Sequence, residues 1–447
     1  MRIGDFGQPR VEALLDEMLS RGRVGGSFLF EGPLGVGKEA MAVELGRLLN
    51  CENDPPCPAR PPFGRAPGEA PAGSGSRGAL RGAPARAASS KRAASTARIE
   101  SSETRPVGPS RCGSCHKFDI LQHPDLLLVF PVPTGTWEEG GSEGRGGEFK
   151  PGAVGQILQA KARNPYYRHD QFERPASIQA EVLREHVLPA VASRPVEARF
   201  KTIILSDPEK MAFGMGNLLL KTLEEPPANC LLVLATAEPQ RLLPTILSRC
   251  QRIRFQPLDP EWMELRLREL YDRPPAQVRL AASVSQGSML AAARALEGDL
   301  DAARDFVFGV FEGAIDGQTL DLLETAQHLA QEHTKKRHLV PLTLQMLATT
   351  ARDAVLVAQG VGAKATAGAG AGAGPRLVNT DRLAALERVA AAYSVEALHG
   401  IVRRAETAER QIAGNAFVEH TLAALFVDVG ALAAQPAGTP GQKGRRR

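Results

Sequence analysis

The sequence predicts an α/β protein in which a parallel sheet carries a phosphate-binding loop and a wholly helical region follows. Three observations predict it. Short apolar runs at 27–30, 126–130, 202–205, 231–235 and 252–255 alternate with helical stretches, as expected of parallel strands covered on both faces. The first run leads directly into Gly32-Pro33-Leu34-Gly35-Val36-Gly37-Lys38-Glu39, a glycine loop placed between a strand and a helix. Beyond about residue 258 only the helical period remains, as in Val418, Leu422, Leu425, Phe426 and Val429.

The elements follow in order. Ser27-Phe28-Leu29-Phe30 is the first strand, and Met41, Leu45, Leu48 and Leu49 share one face of the helix after the loop. A working phosphate loop ends in G-K-[ST]: its backbone N–H groups and lysine hold the phosphates, and the final hydroxyl holds Mg²⁺. Gly32, Gly35, Gly37 and Lys38 are in place, but Glu39 stands where the hydroxyl belongs. A hydrolase also needs an acidic pair at the end of a second strand, one member for the metal and one for the attacking water. Strand 202–205 leads instead into Ser206-Asp207. Two altered positions at one ion predict lost hydrolysis, with the loop kept as a structural turn or as a weak, non-productive site for ATP or ADP. Helices are expected at 181–192 and 214–225, the second stopped by Pro226-Pro227. Amphipathic helices then fill 260–360 and 377–432.

Composition bounds the rest. The chain has 447 residues, 43% hydrophobic and 23% charged, with a formal net charge of +4. Such values fit globular protein with room for two or three domains, and so mild a charge does not by itself argue for nucleic-acid binding. No apolar run reaches the length of a membrane span, and Met1-Arg2-Ile3-Gly4-Asp5 does not open a signal peptide. A cytoplasmic location is the expectation, and a disulfide framework is not expected from the six cysteines. Residues 58–111 carry ten Lys/Arg against three Glu and almost no large apolar side chains. They read as a disordered insertion. A second insertion, Gly/Glu-rich at 133–153, is expected to stay mobile over about 133–175. Residues 363–374 read as a Gly/Ala linker and 436–447 as a basic tail.

Cys51, Cys57, Cys112 and Cys115 offer four thiolates, the last two as a C-x-x-C knuckle. That donor set suits a closed tetrahedral site for structural zinc. The long gap between Cys57 and Cys112 adds only a logarithmic closure cost. A redox C-x-x-C is the alternative, although the strand–helix setting of a thioredoxin-like motif is missing.

These motifs together resemble the bacterial clamp-loader AAA+ subunits of DNA polymerase III. The resemblance rests on Lys221-Thr222-Leu223-Glu224-Glu225-Pro226-Pro227, Leu234-Ala235-Thr236 and Ile246-Leu247-Ser248-Arg249-Cys250, with Gly7-Gln8, the four cysteines and His123-Pro124-Asp125-Leu126 agreeing. It implies a AAA+ core over 1–257 with a zinc module at 51–115, a helical lid over 258–300 and a helical collar over 301–435. Motor subunits of this family carry an intact G-K-[ST], an Asp-Glu pair and an arginine after Gly-Ser-Met. Here Gly287-Ser288-Met289 is followed by Leu290. The chain is therefore similar to the delta-prime branch, whose members are held not to hydrolyse ATP. The resemblance makes Arg249 an arginine finger offered to a neighbour's ATP and Thr236 the counterpart of a nucleotide sensor. It implies γ/τ- and delta-type subunits as partners in a ring, and a sliding clamp and primed DNA as targets of the whole complex. An active γ/τ-type ATPase and a zinc-dependent DNA-binding protein are the rival readings.

Overall fold

The computed structural model describes residues 3–22, 24–54, 56–58, 111–133, 142–143, 149–150, 152–168, 176–212, 214–335, 339–361, 377–414 and 416–433. Its centre is a five-stranded parallel sheet in the order β2-β5-β6-β1-β7. The strands are β1 (Gly26–Glu31), β2 (Leu126–Val129), β5 (Lys201–Ser206), β6 (Cys230–Thr236) and β7 (Gln251–Arg254). A separate two-residue pair, β3 (Ser142–Glu143) with β4 (Phe149–Lys150), is antiparallel. The register sets Glu31 beside both Thr236 and Arg254, and Ser206 beside Ala235. The carboxyl ends of β1, β5 and β6 therefore lie level, and β1 sits where neighbouring strands run on to either side. That edge is where open α/β sheets bind their ligands.

Strand side chains alternate between two cores. Phe28, Phe30, Ile204 and Val233 face Leu15 of α1 (Pro9–Ser20) and Met41, Leu45 and Leu48 of α2 (Lys38–Leu49). Leu29, Ile203, Leu205, Leu232 and Leu234 face Val182, Leu183, Leu219 and Leu223 on the other side. With both faces covered, the strands read as unbroken apolar runs. The expected helix at 181–192 is present as one rod whose middle turn, Leu183–Val187, is a π-helix. The next is Gly216–Glu224.

Beyond Leu258 the described residues form helices, beginning with Pro260–Leu270, Pro275–Val284 and Met289–Glu297 and ending with Val418–Ala433. Among the described residues, no helix is long and apolar enough to cross a membrane.

One expectation is corrected. Within the stretch read as a mobile insertion over 133–175, Ala153–Arg163 is a helix, α4 (α3 is Gly113–Asp119), continued by an ordered turn to Arg168. Val154, Ile157, Leu158 and Lys161 fall on one face, and Ile157 is buried in the α1–α2 core. Averaging over the Gly/Glu-rich residues before it hid this short period. The first insertion, apart from Pro58 and Arg111, lies outside the described residues, as do the 363–374 linker and the 436–447 tail.

Candidate functional site

The phosphate loop leaves β1 at the level carboxyl edge and enters α2 at Lys38. Two glycines are required by what lies against them. Gly35 has φ +78°, and a Cβ there would meet Ser288 Oγ and, at 2.7 Å, Leu290 Cβ. Gly37 has φ +91° and lies beneath the Tyr166 ring, 3.2 Å from where a Cβ would be. The start of helix Met289–Glu297 is thus seated on the loop, with Met289 N–H donating to Gly35 O at 3.0 Å. Leu290, which follows Gly287-Ser288-Met289, is a buried contact of the loop.

Lys38, Glu39, Ser206, Asp207 and Thr236 each have a protein partner. Lys38 Nζ donates to Gly32 O at 2.7 Å and Pro33 O at 2.5 Å. The Glu39 carboxylate takes an ion pair from Lys161 at 2.7 Å and the Ser206 hydroxyl at 2.5 Å. Asp207 accepts both Arg168 nitrogens, at 3.0 and 2.6 Å, the bidentate geometry of a strong charge-assisted pair. Thr236, fully buried, donates to Glu209 at 2.7 Å and accepts Glu238 N–H at 2.9 Å. Burial pulls the Lys38 ammonium down to about 8; Arg168 adds to this, while the Asp207, Glu209 and Glu39 carboxylates oppose it. Burial likewise raises the Glu209 carboxyl, against its hydrogen bond from Thr236.

The second site lies at the other end of α2. The sulfurs of Cys51, Cys57, Cys112 and Cys115 all lie within 4.8 Å of one another, and the Cys51 and Cys112 sulfurs are 3.9 Å apart. That separation is far too long for a disulfide, and all four are free thiols. It is near the edge of about 3.8 Å that four sulfurs make around an ion at about 2.3 Å. Every sulfur also accepts an N–H. Cys57 N–H reaches Cys51 Sγ at 3.2 Å, Cys112 N–H reaches Cys57 Sγ at 3.3 Å, and Cys115 N–H reaches Cys112 Sγ at 3.4 Å. Asn53 Nδ2 adds a second donor to Cys57 at 3.2 Å. Arg47 Nη1 reaches Cys115 Sγ at 3.0 Å and is held bidentate on Glu44 at 2.7 and 2.7 Å. Donors on every sulfur stabilise thiolates, so the cluster fits a metal ion, and Cys57 is part of it despite the insertion that follows. Burial raises the Glu44 carboxyl and the Cys115 thiol, and in both cases Arg47 opposes the shift.

Arg249 follows the short helix Pro244–Leu247. Its Nε pairs with Glu224 Oε1 at 2.6 Å, its Nη1 donates to Thr245 O at 3.0 Å, and about a third of its side chain is exposed. The other motif residues serve the frame. Gln8 and Gln256 exchange two hydrogen bonds, and Asp125 accepts N–H from Val196, Glu197 and Ala198.

The structure brings Gly32, Gly35, Gly37, Lys38, Glu39, Ser206, Asp207 and Thr236 to one edge and gathers the four cysteines. Sequence reasoning missed Lys161, Tyr166 and Arg168, which fell in the supposed loop, and the Glu44–Arg47 pair. The helical spacing of Val154, Ile157 and Lys161 could have found Lys161; Tyr166 and Arg168 lie beyond that helix. Nothing local marked Arg47.

A family model described as "DNA polymerase III, delta subunit" matches residues 83–259. The delta-prime subunit of DNA polymerase III from Bacillus subtilis is 27% identical over 278 residues, covering 62% of this chain and 56% of that protein. Its Escherichia coli counterpart is 30% identical over 206 residues, 45% of this chain and 57% of that one. The tau subunit of Bacillus subtilis is 31% identical over 162 residues, 31% of this chain and 28% of that one. The fold is an α/β core carrying a phosphate loop, followed by helices. Over these stretches the chain is similar to delta-prime subunits of DNA polymerase III and, over a shorter one, to a tau subunit. It spans little more than half the length of these delta-prime relatives.

Proposed function

We propose that this chain is a non-hydrolysing delta-prime subunit of a DNA polymerase III clamp loader. In this reading it is a rigid member of a ring in which γ/τ-type motors and a delta-type subunit are its neighbours. The ring uses ATP to open a sliding clamp and load it on primed DNA in the cytoplasm, at the nucleoid. The observation that carries the reading is the state of the metal-binding positions. Glu39 and Asp207 are both committed to internal cations, and no hydroxyl follows Lys38. A rival γ/τ-type ATPase using Glu39 or Asp207 as a metal ligand needs those carboxylates to leave Lys161 and Arg168. Mg-ATP turnover by the isolated chain, lost in Lys38→Ala, would establish that rival.

Arg249 is the contribution to chemistry. It stands at a helix end with a partly exposed side chain held by the surface carboxylate of Glu224 and by the Thr245 carbonyl, so little energy keeps it from a neighbour's γ-phosphate. The residues 258–300 act as the lid and 301–435 as the collar that packs against other subunits. Zinc is the metal proposed for Cys51, Cys57, Cys112 and Cys115. It would supply no reaction chemistry and would tie the 51–115 module to α2.

The test is the DNA- and clamp-stimulated ATPase of a reconstituted loader containing this chain, intact or as Arg249→Ala. Lost turnover with unchanged assembly supports an arginine acting on a neighbour's nucleotide. Unchanged turnover in an assembled complex removes the mechanistic half of the proposal.

A further inference from the structure

We propose that residues 152–168 are a built-in occupant of the phosphate loop. They exclude nucleotide by filling a preserved cradle, whether or not Arg249 serves a neighbour. The ligand class excluded is a magnesium nucleoside di- or triphosphate.

The case rests on where one segment's side chains end. Lys161, Tyr166 and Arg168 come from α4 and the turn after it, over 120 residues from the loop in sequence. Lys161 puts its ammonium on Glu39, the residue at the magnesium position. Arg168 puts its guanidinium on Asp207, at the end of the second strand. Between them Tyr166, buried, lies over Gly37, where the loop turns into α2. The segment is anchored independently of these contacts by Ile157, buried in the core. Meanwhile Gly32, Gly35 and Gly37 keep the positive φ values of 152°, 78° and 91° that the loop demands.

Two explanations of a silent site therefore separate. If Glu39 alone broke the loop, restoring a hydroxyl would restore binding. With an internal occupant, a nucleotide binds only the fraction of molecules in which the segment has left, and its apparent affinity falls by that fraction. Two cations held in place by the fold compete at a high effective concentration, as any tethered ligand does.

The experiment titrates mant-ADP with Mg²⁺ into four full-length proteins. They are the wild type, Glu39→Thr, Lys161→Ala/Tyr166→Ala/Arg168→Ala, and the combination of all four changes. The expectation is no measurable binding by the wild type or Glu39→Thr. The combined variant should bind at least about 100-fold more tightly than Glu39→Thr. Wild-type binding overturns the proposal, as does Glu39→Thr binding as tightly as the combined variant, or a folded combined variant that fails to bind. Should the combined variant not fold, hydrogen exchange of the wild type decides. Amides of 154–163 protected equally with and without millimolar MgADP support the occupant. Protection lost on adding MgADP overturns it.

Discussion

Replacing Arg47 by Met removes a buried cation and leaves its two partners in place. Arg47 is 1% exposed, with two 2.7 Å bonds to Glu44 and one 3.0 Å bond to Cys115. Glu44, itself 4% exposed, would then be a buried carboxylate that has lost both of these bonds. Breaking a buried pair from one side costs about 3–5 kcal/mol, most of it the desolvation of the stranded charge. Part of that cost is relieved if Glu44 takes up a proton, a tendency burial already gives it. Urea denaturation of the metal-loaded chain should therefore show Arg47→Met destabilised by about 3 kcal/mol. Glu44→Leu/Arg47→Met, which removes both charges, should recover most of that loss. The metal readout separates Arg47's two partners. Both variants lack the N–H on Cys115, so both should lose zinc to a competing chelator about 10–100-fold more readily than wild type. A single variant within about 1 kcal/mol of wild type, or zinc retention that recovers together with stability, would refute the assignment of Arg47 to the thiolate cluster.

Further predictions follow from the loop. Lys38 titrates near 8 in the folded chain against 10.5 unfolded, so the unfolded state binds more protons between those values and stability rises with pH across that window. The gap corresponds to on the order of 3 kcal/mol, and denaturation of wild type against Lys38→Met from pH 7.5 to 10.5 should show their difference shifting towards wild type. Gly35→Ala should cost clearly more than Gly22→Ala in the same assay. Both have positive φ, worth about 1–2 kcal/mol each, but only Gly35 has Ser288 and Leu290 where the new Cβ must go, while Gly22 faces open space. Glu224→Gln should move stability by less than about 1 kcal/mol, since its pair with Arg249 is a surface one. In the reconstituted loader it should keep the Arg249-dependent turnover; a loss equal to that of Arg249→Ala would make Glu224 a positioning residue.

Much of the fold was legible because its signals are local. Each apolar run became a strand within about two residues, and the register that levels β1, β5 and β6 follows from parallel pairing of those runs. The cysteine cluster was legible too, since four thiols with a knuckle spacing announce their own chemistry. What was not legible depends on contacts across long separations. Glu39 reads as a defect when only its own motif is in view, and as half of an ion pair once Lys161 is seen 122 residues away. Arg47 reads as a helix-end cation until the fold brings Cys115 against it from 68 residues away. Composition misled at α4 for a related reason: eleven helical residues next to a Gly/Glu-rich stretch disappear into its average.

The glycines of this loop are held in place by packing that involves no nucleotide. Side chains at Gly32, Gly35 and Gly37 would run into Phe255, Ser288 with Leu290, and Tyr166 respectively. Those neighbours come from the end of the sheet, the first helices of the C-terminal half and the segment after α4. The loop is thus the point where three parts of the chain meet at backbone distance, which L side chains would forbid. Lys38 fits the same account, because its ammonium closes the turn on Gly32 O and Pro33 O without any phosphate. Glu39 and Ser206, at the two positions where a working loop of this kind places its metal ligands, bond to each other instead.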